Sequence, residues 1–189
     1  MIRTNLRTVA AAALLGVSSI AASIAIAQEN PMVGGAPMLA TMNIIQNAVN
    51  SADHTTLVAA VQAAGLVETL EGPGPFTVFA PTNDAFAALP AGTVENLLLP
   101  ENLATLQTIL TCHVVAADVM SEALIGMINA DGGTHAIETV GGCVINATVV
   151  DGVVTLTDEN GGEAHVTIAD VVQSNGVIHV IDAVLLPAM

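Results

Sequence analysis

The chain has 189 residues, with 17 Asp and Glu against 2 Lys and Arg, and a formal net charge of −15 at pH 7. Both basic residues, Arg3 and Arg7, precede an Ala/Leu/Ile-rich run from Val9 to Ile26 that ends in Ala25-Ile26-Ala27. A charged start, an apolar run and a small-x-small end make residues 1–27 a predicted secretory signal peptide, cleaved before Gln28. The alternative is an uncleaved membrane anchor, since the run is just long enough to span a bilayer.

Cleavage would leave all 17 acidic residues and no Lys or Arg. Nucleic acid is then excluded as a partner, because phosphate neutralisation needs those cations. Direct docking on anionic lipid is excluded for the same reason. Self-repulsion on this scale is tolerable where salt screens it, which predicts a saline extracytoplasmic setting, secreted or periplasmic. No later stretch is long and apolar enough to span a membrane.

In chain order, Gln28–Ala40 holds Pro31, Gly34, Gly35 and Pro37 and reads as a flexible lead-in to a domain over 41–187. Met42, Ile45 and Val49 predict a helix within Thr41–Asn50. Leu57, Val58, Val61 and Ala64 predict a second over His54–Ala64, stopped by Gly65. After a short turn at Leu66–Leu70 and the rigid Gly72-Pro-Gly-Pro75 comes Phe76-Thr-Val-Phe-Ala-Pro-Thr-Asn-Asp-Ala-Phe86, which contains all three aromatic residues of the protein apart from histidine. Phe76, Val78 and Phe79 predict a buried strand that ends at Pro81 for want of an N–H. Thr82 and Asn83 are helix-capping types and Asp84 suits the helix N-terminus, so a helix is expected from Ala85.

Thr93 is expected to cap a short helix, and Pro100 and Glu101 to start a clearer one with Leu103, Leu106, Ile109 and Leu110 on one face. Thr111–Val115 is β-branched and is predicted as a strand; Val119–Ile128 is ambiguous between helix and turn. The remainder reads as strand: His135–Val140, Cys143–Val150, Glu163–Val172 and Val177–Leu186. Asp151-Gly152 and Ser174-Asn175-Gly176 are hairpin signals, and Asp158–Gly162 a looser turn. Helices followed by antiparallel strands predict an α+β class. Cys112 and Cys143 are expected to pair in an oxidising compartment, closing a loop of about 31 residues; two buried thiols are the alternative.

Two boxes carry a family resemblance. Phe76–Phe86 resembles the first motif of the fasciclin domain, and Asn175-Gly-Val-Ile-His-Val-Ile-Asp-Ala-Val-Leu-Leu-Pro187 resembles the second. Between them, Leu110-Thr-Cys-His-Val-Val115 is similar to the family's Tyr-His segment, with Cys112 in place of Tyr. The resemblance, to the secreted bacterial single-domain type, covers about Thr41–Pro187. It implies a wedge of mostly antiparallel β-strands flanked by N-terminal helices, and extracellular adhesion or matrix interaction. In animal members a short Asp-containing segment just before the second box is linked to integrin binding. Here Asp170 matches within Ile168-Ala-Asp-Val-Val172, but its neighbours differ and that activity is not carried over.

His54, His113, His135, His165 and His179 are dispersed. His113 and His179 are placed in strands within family motifs; with Asp170 they are the binding candidates, against a hydrogen-bonded structural role. A histidine beside a carboxylate is expected to gain proton affinity and so to act as a pH sensor. Phe76, Phe79, Thr82, Asn83, Asp84 and Phe86 are the structural motif. Asp158-Glu-Asn-Gly-Gly-Glu163 is oxygen-rich but lacks EF-hand spacing, which favours a solvated turn over a dedicated metal site. Diffuse Ca²⁺ association with so many carboxylates is the expectation; no cofactor is expected. No GxSxG, HExxH, phosphate loop or Rossmann glycine pattern occurs, so an enzyme is not expected. The resulting expectation is a secreted or cell-surface adhesion protein. It would meet a polysaccharide or protein of the matrix or a biofilm through divalent cations, and associate weakly with itself. An extracytoplasmic carrier of a small apolar ligand is the alternative.

Overall fold

The computed structural model describes residues 30–188. The predicted signal peptide lies outside them. Their first element is a hairpin, β1 (Met32–Val33) against β2 (Ala36–Pro37), closed by Gly34 and Gly35 at φ of 58° and 77°. Two central residues at positive φ suit the twist of a tight hairpin. Val33 and Met38 are buried in the domain core, so this part of the expected flexible lead-in is packed against the domain, with Gly34-Gly35 as its turn.

Helices α1 (Ile44–Ala48), α2 (Thr55–Ala63) and α3 (Val67–Leu70) precede β3 (Phe76–Pro81). Asn43 and Gln46 form a capping box on α1. Next come α4 (Asn83–Ala87), α5 (Thr93–Leu97) and α6 (Leu103–Thr111). Thr93 lies inside α5 rather than capping it; Gly92 holds the cap position. The predicted strand over Thr111–Val115 is mostly helix end and turn, and β4 is only Val114–Val115. The Leu103–Leu110 apolar face carries α6 through Thr111, overriding the β preference of a single threonine. The ambiguous stretch is a helix, α7 (Ser121–Ala130).

Strands β5 (Thr134–Glu138), β6 (Val144–Val150), β7 (Val153–Thr157), β8 (Glu163–Gln173) and β9 (Gly176–Ile181) complete a seven-stranded sheet in the order β4-β3-β9-β8-β7-β6-β5. Every pair is antiparallel except β3 with β9, which run parallel from Phe76↔Gly176 to Pro81↔Ile181. The two family boxes are thus adjacent central strands. Both are covered on two faces, so both read as near-continuous apolar runs. Val78, Ala80, Ile178 and Val180 face a first core under α1, α2 and α6. Phe79 and Ile181 face a second core closed by Leu124 and Ile128 of α7. Cys112 and Cys143 form a disulfide from the end of α6 to the turn before β6. No helix among the described residues is long and apolar enough to cross a membrane.

Candidate functional site

The first box divides its rings between the two cores. Phe76 and Phe86 pack on the first and Phe79 is buried in the second. Thr82 caps α4 through Oγ1, which accepts from the Ala85 N–H at 3.3 Å. Asn83 does something else. Its Oδ1 accepts from the Thr56 N–H at 3.0 Å and the Thr55 hydroxyl at 3.1 Å, while Nδ2 donates to the Ala52 carbonyl at 2.8 Å. It closes the N-terminus of α2, whose own cap residue supplies no side-chain bond. Asp84 is exposed in the first turn of α4.

Both motif histidines meet Phe79, and Asp170 meets His179. The Phe79 N–H donates to the His113 carbonyl at 2.9 Å, and the rings of Phe79 and His179 stack with centroids 5.8 Å apart. His179 Nδ1 accepts from the Asp170 N–H at 3.2 Å; its Nε2 therefore carries the proton and donates to the Val119 carbonyl at 2.8 Å. His113 has the opposite tautomer. Nε2 accepts from the Leu185 N–H at 3.0 Å, so Nδ1–H donates to the Ile109 carbonyl at 2.8 Å. Contrary to the sequence expectation, His113 is not in a strand but in the turn between α6 and β4.

Burial pushes the His113 imidazole down to about 4, the Ile109 carbonyl and Asp158 only partly offsetting it. Desolvation also lowers His179 and His54. The expected gain of proton affinity beside a carboxylate therefore fails for these three, because loss of water outweighs the charge nearby. Two histidines do meet carboxylates at the surface, His135 with Asp131 at 2.6 Å and His165 with Asp182 at 3.1 Å.

Asp170 sits at the bulge of β8 with φ of 57°. Its carboxylate accepts from the Ser121 N–H at 2.7 Å and from the Ser121 hydroxyl, so it caps α7 from another strand. Asp158–Glu163 is more than a solvated turn. Asp158 is buried and accepts from the N–H groups of Asn160, Gly162 and Leu186 at 2.7–2.9 Å. Glu159 accepts from the N–H groups of Val144 and Ala188, which hold its carboxyl below the usual range. The turn clamps the C-terminal segment. Among the described residues no group of three His, Cys, Asp or Glu is arranged to hold a metal ion.

Several key polar residues gave no functional signal in the sequence. Asn175, read as a hairpin residue, accepts from the Ile44 N–H at 3.0 Å and donates to the carbonyls of Leu70 and Gly72 at 2.8 and 2.9 Å. Buried Asn47 bridges both main-chain groups of Leu39 and also meets Gln173. Ser51 and His54 pair at 2.8 Å inside the first core.

The two motif strands run parallel and side by side within the sheet and are faced by helices. The family model for the fasciclin domain matches residues 52–187, and the chain belongs to that family. Protein sll1483 of Synechocystis is 44% identical over 192 residues, covering 99% of each chain. Sll1735 of the same organism is 43% identical over 76% of this chain and 97% of its own. Transforming growth factor-beta-induced protein ig-h3 of Sus scrofa is 37% identical over 69% of this chain, which is 17% of that larger protein. Among solved structures, a FAS1 domain pair from the insect cell adhesion molecule Fasciclin I matches with a TM-score of 0.68 at 18% identity. That match covers 77% of this chain and 51% of the other, and it establishes the shared fold.

Proposed function

We propose that this fasciclin-domain protein is secreted or periplasmic and acts by non-covalent adhesion at the cell surface or in a surrounding matrix. Divalent cations bridge its acidic surface to anionic polysaccharide, to a matrix protein or, weakly, to another copy. One observation carries the reading. All Asp and Glu in residues 30–188 are exposed except Asp158 and Asp170, and no Lys or Arg is present there to pair with them. Such a surface repels anionic partners unless a cation intervenes, and its carboxylate oxygens are hard ligands suited to Ca²⁺. The rigid sheet and disulfide favour a scaffold that presents this surface over one that closes on a substrate.

The test is binding to immobilised alginate, an anionic polysaccharide, with Ca²⁺ or with excess chelator at constant ionic strength. Retention in Ca²⁺ and release in chelator are expected. Binding that is unchanged by the chelator defeats the cation bridge, and no binding in either condition defeats adhesion to acidic polysaccharide.

A further inference from the structure

Under the helices of the first core lies a partly enclosed cavity of about 60 Å³. Ile44 of α1, Leu57 and Val61 of α2, Phe76 and Val78 of β3 and Ile178 of β9 line it. The surface it presents is apolar throughout. Polar residues do stand along the wall, but their polar atoms are turned to partners elsewhere. Ser51 Oγ meets His54 Nδ1 at 2.8 Å, and His54 Nε2 is enclosed beside the Ala80 carbonyl. The Thr111 hydroxyl donates to the Gln107 carbonyl at 2.7 Å, and both nitrogens of His113 are bonded to main-chain groups.

Two limits follow for any occupant. The first is chemical. The cavity is roomy enough for water, but a buried water needs about two to four polar partners and this surface offers none. A hydroxyl, an amine or an ion would lose its hydration there without replacement. A non-polar occupant loses nothing of that kind, and it restores the dispersion contacts that side chains facing a void forgo. The second limit is size. An apolar cavity of about 150 Å³ stays dry and takes a six-carbon ring, so a volume well under half of that holds roughly two or three heavy atoms. We infer that the cavity is a binding site for one small non-polar molecule of the size of a dissolved gas, held among Leu57, Val61 and Ile178 with no hydrogen bond. So few atoms bind weakly, in roughly the millimolar range. The role is independent of adhesion at the acidic surface.

The probe is xenon, applied at rising pressure to methyl-labelled protein and read by NMR. Methanol serves as a polar molecule of similar size and benzene as a non-polar one too large for the space. Saturable xenon shifts are expected at the methyl groups of Leu57, Val61 and Ile178. The methyl groups of Leu124, Ile128 and Leu156 belong to the second core and should stay still. Methanol and benzene should give no saturable shift at either set. The double variant Val61→Ile, Val78→Ile adds two methylenes to the wall, and should abolish the xenon shifts at Leu57 and Ile178. The inference is overturned if xenon leaves the first set unmoved, if both cores shift alike, if methanol or benzene saturates the site, or if the shifts survive in the filled variant. Should that variant fail to fold, the comparison of the two cores and three probes in the wild type decides.

Discussion

Acidification should unfold this protein partly through one side chain, His113. Its Nε2 must stay unprotonated to accept from the Leu185 N–H, and its Nδ1–H is committed to the Ile109 carbonyl. Protonation in place would set an N–H against an N–H and leave a buried cation that Asp158 only partly compensates. Burial accordingly lowers the folded-state value from 6.5 to about 4. The unfolded chain takes the proton near 6.5 and the folded one resists it. Stability is therefore fully present above about pH 6.5 and falls as pH drops toward 4, by about 3 kcal/mol in all. Lowered His54 and His179 act in the same direction. Carboxylate protonation relieves self-repulsion and acts oppositely, so the assay must isolate His113. Urea unfolding from pH 7.5 to 4.5 at fixed high salt, on wild type and His113→Gln, does so. The variant should be less stable at pH 7.5 but should lose less on acidification, with the two curves converging. Parallel curves across pH 6.5–4.5 would refute the reasoning.

Asn175→Ala strands the Ile44 N–H and two carbonyls, and should cost about 3–4 kcal/mol in urea unfolding, whereas Asn160→Ala, an exposed residue whose amide reaches the Leu186 and Pro187 carbonyls, should cost about 1–2. A similar loss in both would mean that the buried junction carries no special weight. Phe79→Ala empties a site that is 1% exposed and should destabilise by about 3–5 kcal/mol, against about 0.5 or less for exposed Asp84→Ala; calorimetric melting separates them. Raising NaCl from about 0.01 to 0.5 M shortens the screening length severalfold, so the melting temperature should rise with salt. A flat or falling trend would contradict the burden assigned to unpaired surface charge.

Local signals carried much of the fold. Asp151-Gly152 and Asn175-Gly176 turned strands where residues at the required φ were available, Gly65 ended α2, and Phe76–Pro81 stated its burial through its apolar run. What remained hidden was non-local. The parallel pairing of β3 with β9 joins residues about a hundred positions apart, and no turn residue marks it. Periodicity predicts that each strand is buried, but not which strand lies beside it. The stretch holding the Met32–Pro37 hairpin reads as a flexible lead-in because Gly and Pro mark loose chain and tight turns alike. Only the burial of Val33 and Met38 separates the two.

The sequence names His113, His179 and Asp170 as binding candidates but carries no sign of the bonds they make. His113 and His179 both meet Phe79 and Asp170 meets His179, yet the two rings spend their nitrogens on main-chain groups and the carboxylate is held by Ser121. A histidine's sequence neighbours cannot disclose this, because the deciding partners of His113 and His179 include Leu185 and Val119, 72 and 60 positions away. Asp158 shows the same limit: within Asp158–Glu163 it reads as part of a solvated turn, and its buried oxygens instead hold Leu186. The acidic surface was legible outright, since charge composition needs no contacts to be read.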